Sequence, residues 1–224
     1  FMIMFHDYSF LDSAIGENYE KHIVAFIEMA KNSNENLSML YVSLFCENLY
    51  DLYQVTMSYL DNSLRDTLTG LYNRRGFVNY TRPLLSMAEK NRLTVGIIII
   101  DFDDFKSVND RLGHLSGDIA LQTEAVIINS CVRKSDVVGR YGGDEFIIFT
   151  ESRNLDSLGN ICERIRKATE EASEQLSGVV FTVSLGAAIG KIAAPQEKYL
   201  AEIINNADRN LYEAKNKGKN RWVV

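Results

Sequence analysis

Apolar side chains recur along this chain with two different periods, and the places where the period changes mark its elements. Ile23, Ile27 and Ala30 fall on one helical stripe, and the polar break at Asn32, Ser33 and Asn34 can cap a following helix. In that second helix Tyr41, Phe45, Asn48, Leu52, Val55 and Tyr59 recur at spacings of four and three, a heptad seam whose one polar position is of the kind that fixes register between chains. The stripe would equally suit an amphipathic helix packed on its own domain. Beyond it, helical and strand patterns alternate. Residues 76–89 read as a helix that Pro83 should kink or split, because proline removes a donor and clashes with the preceding turn. Residues 95–100 form a β-branched run too short for a helix and predict a buried strand. Helices are predicted over 120–131, 158–176 and 199–217, and strands over 146–149 and 179–189. Such alternation predicts an α/β domain of the α+β type.

Composition narrows the class. With 46% hydrophobic and 24% charged residues in 224, the chain has the balance of an ordinary globular protein, which excludes a disordered, collagenous or purely coiled-coil one. The longest apolar stretch, 95–100, is far short of the ~20 residues that cross a bilayer, so no membrane span is expected. Cys46, Cys131 and Cys162 are widely spaced with no CxxC pair, which suggests neither a disulfide framework nor a zinc site and fits a reducing, cytoplasmic setting. The opening Phe-Met-Ile-Met-Phe lacks the basic flank and cleavage site of a signal peptide, and reads as a cut from something longer. Charge is unevenly spread: residues 1–64 hold two basic side chains against nine acidic ones, a net of −7, whereas 65–224 hold 22 against 21, a net of +1. The shift predicts a boundary near residue 64, and the near-neutral remainder argues against a nucleic-acid-binding face.

Two acidic segments carry the candidate chemistry. In Arg140-Tyr141-Gly142-Gly143-Asp144-Glu145-Phe146 the glycines are expected to supply positive φ for a tight hairpin, with two carboxylates at its tip. Alone this would be a solvated loop. Asp101, Asp103 and Asp104, however, follow the predicted strand at the end where α/β sheets place ligands. Carboxylates converging from two elements suit Mg2+, which takes few protein oxygens and completes its shell with water and phosphate. Lys106, Lys215 and Lys219 offer point charges for phosphate. The G-x-x-x-G-K of 186–191 is one residue short of a P-loop and is followed by Ile192, so it is rejected as a phosphate cradle. His6 and His22 have no ligand spacing, and His114 reads as a loop residue.

These segments carry a resemblance. Residues 66–75, Asp-Thr-Leu-Thr-Gly-Leu-Tyr-Asn-Arg-Arg, resemble the D-x-L-T-G-L-x-N-R-R signature of the GGDEF family, the diguanylate cyclases. Asp101 to Lys106, Asn109-Asp110, Gly113-His114 and Gly117-Asp118 resemble its next block, Gly142 to Phe146 its name-giving motif, and Ala207-Asp208, Leu211-Tyr212, Ala214-Lys215 and 218–221 its last. The resemblance implies a polymerase-palm-like fold, a mostly antiparallel five-stranded sheet flanked by helices, after an N-terminal helical segment. It implies condensation of two GTP into cyclic di-GMP by a homodimer, with Mg2+ or Mn2+ held by Asp101, Asp144 and the Phe102 carbonyl. Glu145 would sit by the ribose 3′-hydroxyl, Asn109 and Asp118 would read guanine, and Gly142 and Gly143 would approach the substrate. Lys106, Lys215 and Lys219 would hold phosphates, although the family more often has Arg at the last position, whose fork lysine lacks. Arg133 and Asp136 match the family's R-x-x-D product-inhibition site, with Arg164 as a second cationic contact. The same resemblance admits a catalytically silent domain that binds GTP or cyclic di-GMP as an effector module. Silent domains typically have a broken hairpin motif, whereas Asp101, Asp144 and Glu145 all stand here.

Overall fold

The computed structural model of the chain describes residues 28, 45–52, 54–56, 61–152, 154–176 and 181–224. The chain divides into two compact units, Phe1–Asp61 and Asn62–Val224. In the first, residues 45–52 and 54–56 are helical, and the seam residues Leu52 and Val55 are 47% and 65% exposed. Tyr41, Tyr59 and the earlier stripe of Ile23, Ile27 and Ala30 lie outside the described residues.

The second unit runs α1 (Arg74–Asn91), β1 (Thr94–Phe102), α2 (Phe105–Leu112), α3 (His114–Cys131), β2 (Val137–Arg140), β3 (Glu145–Glu151), α4 (Leu155–Leu176), β4 (Val183–Lys191), α5 (Gln196–Asn216) and β5 (Trp222–Val223). The five strands form one sheet in the order β2-β3-β1-β4-β5, antiparallel except for the β4–β5 pair. The expected mixed α+β sheet is therefore present, with β1 at its centre.

The β-branched run explains that place. From Val95 to Phe102 every residue of β1 is buried, because helices cover both faces and alternate side chains enter opposite cores. Ile98, Ile100 and Phe102 pack with Leu121, Ile128, Leu158 and Ile165 of α3 and α4. Ile97 and Ile99 pack with Phe77 and Leu85 of α1 and Ile203 and Leu211 of α5.

Several expectations need correction. Helix α1 is not split at Pro83 but runs through it. The carbonyl that loses its donor belongs to exposed Asn79, where water can replace the bond. His114 is the first residue of α3, not a loop residue, and that helix starts well before residue 120. Strand β4 begins at Val183, and Val179 and Val180 lie outside the described residues. Among the described residues no helix is long and apolar enough to cross a membrane.

Candidate active site

Strand register builds the centre of the site. Asp101, next to last in β1, pairs across the sheet with Glu145 at the start of β3 and with Ser184 of β4. The β2–β3 turn is closed by the Tyr141 and Gly142 amides, which donate to the Glu145 carbonyl at 2.8 and 3.3 Å. Gly142 and Gly143 do not take the expected positive φ. A Cβ on Gly142 would come within 2.7 Å of Glu145 Oε2, the movable end of a flexible side chain, while one on Gly143 would meet nothing within 4 Å. Arg140 holds the turn from below, with Nε and Nη2 donating to the Gly143 carbonyl at 3.0 and 2.6 Å. Its Nη1 grips both carboxylate oxygens of Asp66, at 3.0 and 3.2 Å.

Asp101 is buried, and burial is the main cause that raises its carboxyl above the usual range. Lys215 opposes this from Oδ1 at 2.6 Å, whereas the negative charges of Asp144 and Glu145 add to it. Three carboxylates thus bear on one spot. Among the described residues no group of three or more His, Cys, Asp and Glu is arranged to hold a metal ion. Mg2+ does not require one, since one or two carboxylates plus substrate phosphates complete its shell. A hard divalent cation fits this donor set, because its charge offsets both the burial and the smaller carboxylate repulsion that raise Asp101. Phe102 could add only its carbonyl, its ring being packed among Phe105, Phe146 and Phe181.

The other two aspartates do different work. Asp103 is buried and engaged through both oxygens, accepting from Ser184 Oγ and Thr182 Oγ1 at 2.6 Å each and from the Asn220 amide at 2.9 Å. It therefore ties β1 and β4 to the C-terminal loop and is no free metal ligand. Asp104 stands in the left-handed region, with φ of 55°, and takes Lys219 Nζ on both oxygens at 2.6 Å. The expected phosphate lysines 215 and 219 thus stand on carboxylates, while Lys106 on α2 is exposed.

Helices α2 and α3 meet at Gly113 alone, and the turn folds Asn109 back onto Gly117. The Asn109 Oδ1 occupies the space a Cβ at 117 would need, so only glycine admits it. Asp118, the next residue, is exposed beside this contact.

Between α3 and β2, the Arg133 amide donates to Asp136 Oδ2 at 2.8 Å and the Asp136 amide to the Arg133 carbonyl at 3.0 Å. This turn borders a cavity of 360 Å3 lined also by Arg65, Tyr72, Asn129 and Lys134. Arg164 does not line it; from α4 it donates to the Cys131 carbonyl at the end of α3. Sequence reasoning missed the Asp66–Arg140 pair and Arg65. These residues lie in or beside recognised motifs, but nothing in their spacing brings positions 66 and 140 together.

The profile of the family described as "Diguanylate cyclase, GGDEF domain" matches residues 63–221. Diguanylate cyclase A of Treponema denticola is 34% identical over 205 residues, 89% of this chain and 52% of that protein. The chain spans about half the length of the curated relatives it matches. The GGDEF domain of DgcB from Caulobacter crescentus, solved in complex with c-di-GMP, superposes with a TM-score of 0.64 at 28% identity, over 70% of this chain and 93% of that one. Diguanylate cyclase SiaD of Pseudomonas aeruginosa, solved with its activator SiaC, gives a TM-score of 0.65 at 29% identity, over 94% and 84%.

Proposed function

The chain belongs to the diguanylate cyclase GGDEF-domain family, and on that premise we propose that it condenses two GTP into cyclic di-GMP with release of two pyrophosphates. The observation that carries this reading is the β1–β3 register, which sets Asp101 opposite Glu145 with Asp144 beside it at the turn. In each of two equivalent steps the 3′-oxygen of one GTP bonds to the α-phosphorus of the other, the bond to the β-phosphate breaks, and pyrophosphate leaves. Mg2+ or Mn2+ bound at Asp101, Asp144 and the Phe102 carbonyl would polarise the α-phosphate and acidify the attacking hydroxyl. Glu145 takes the proton from the 3′-hydroxyl. Lys106, Lys215 and Lys219 bind and orient the phosphates, the latter two by passing from their carboxylates to the substrate. Asn109 and Asp118 select the base, because a carboxylate accepts from the ring NH and exocyclic amine of guanine, which adenine does not offer on that edge. Catalysis of this type rests mainly on positioning and electrostatics.

Each domain holds one GTP, so two copies must face each other. The exposed Leu52 and Val55 of the N-terminal helical segment, 1–64, support a dimer seam there. The Arg133–Asp136 turn serves product inhibition, with the cavity beside it in support. Arg164 acts there by bracing the end of α3. A GTP substrate suits a cytoplasmic setting for the domain. A silent domain is the second reading, and the intact Asp101, Asp144 and Glu145 weigh against it.

Pyrophosphate release from GTP tests the proposal. The parent should turn over in Mg2+, and Asp144→Ala and Glu145→Ala should each abolish turnover with the circular dichroism spectrum unchanged. Binding of GTP without pyrophosphate release by the parent would establish the silent reading. Activity in both variants would remove the turn from the chemistry.

A further inference from the structure

The cavity beside the Arg133–Asp136 turn has two walls, and only one of them belongs to that turn. The second is the strap of residues 65–72, close after the Asp61/Asn62 division of the chain, which contributes Arg65 and Tyr72. Three cationic side chains, Arg65, Arg133 and Lys134, face the cavity against the one carboxylate of Asp136, which already accepts the Arg133 amide. The lining therefore favours an anion. At 360 Å3 the space falls within the roughly 300 to 1,000 Å3 of pockets that take small organic ligands.

Arg65 is the most organised of the three cations. Its Nη1 donates to the Gly70 carbonyl at 3.0 Å, and its guanidinium carbon lies 4.6 Å from the centroid of the Tyr72 ring. Tyr72 is fixed in turn, by stacking on Tyr80 at 4.2 Å and by a backbone bridge to Gly139. A planar cation held in this way can engage phosphate bidentately or stack on a purine face, with little side-chain freedom left to lose.

We propose that Arg65 is a cationic contact for the phosphodiester and base of cyclic di-GMP in this cavity, so that the bound ligand spans the Arg133–Asp136 turn and the strap. The proposal rests on the reading of that turn as the product site. The strap also carries Asp66, whose carboxylate holds Arg140, and Arg140 holds the Gly143 carbonyl of the catalytic turn. A ligand that fixes the strap thereby bears on the turn that carries Asp144 and Glu145.

The test is calorimetric titration of cyclic di-GMP into the full chain, without GTP, for the parent, R65A, R65K and R133A. Circular dichroism of each confirms the fold. R65A should bind about tenfold more weakly or worse, the scale of one charge-assisted contact, and R65K should recover part of the loss. Parent affinity in R65A with loss in R133A overturns the role of Arg65 and leaves the product site standing. Parent affinity in both overturns the product site itself. Equal loss in R65A and R65K overturns the charge contact, since the second retains the cation.

Discussion

Glu124 on α3 is fully buried against α4, where among the described residues it receives one hydrogen bond, from Thr169 Oγ1 at 2.7 Å, and its Oε1 has no partner. Burial pushes its carboxyl up to about 8, with the Thr169 bond opposing. The folded protein thus keeps a proton that the unfolded chain releases near 4.5. Its contribution to stability is complete below that pH and is lost as pH rises toward 8, at roughly 1.4 kcal/mol per pH unit. Glu124→Gln, neutral throughout, should flatten this slope. Urea unfolding at pH 5 and pH 8 should show the parent losing more stability than the variant, and equal losses would acquit Glu124. Single residues were only partly legible in the sequence. A glutamate beside apolar neighbours on a helix gives no sign of full burial, and Asp103 looked like Asp101 until its three donors were seen. Asp101 and Asp144 were legible because the family pattern names their positions.

At the scale of elements, periodicity found those long enough to show a period. Strand β1 and helices α4 and α5 were legible, whereas α2 with eight residues, β2 with four and β5 with two are too short to display one. Pairings between distant elements were not legible at all. The Asp66–Arg140 pair, with side chains 22% and 15% exposed, joins the entry strap to the β2–β3 turn. Breaking it leaves Gly143 held by an arginine with no counter-charge, or by none. Asp66→Ala and Arg140→Ala should each lower stability and turnover, and a double-mutant cycle on unfolding free energy should give a coupling of about 1 to 3 kcal/mol. Additivity to within about 0.5 kcal/mol would show that the two side chains act independently.

For the whole molecule, the charge step near residue 64 and the end of the first compact unit at Asp61 fall close together, although only the first is visible in the sequence. Strand order was not written in any period, because which strands pair depends on the helices that cross between them. If the helix containing Leu52 and Val55 is the seam between copies, deleting residues 1–62 leaves only weak encounter between catalytic domains. Specific activity of the truncated protein should then fall steeply on dilution while that of the parent holds, and a flat dilution series would remove the seam. The two lysine–carboxylate pairs have a consequence at this scale too. Lys215 on Asp101 and Lys219 on Asp104 already cancel much of each other's field. If those lysines take the phosphates as proposed, a polyanion meets cations that are already paired, and its binding requires the carboxylates to surrender them. Recognition would then be an exchange of counter-ions, with selectivity decided after encounter by which newcomer can satisfy both the released lysines and the carboxylates they leave behind.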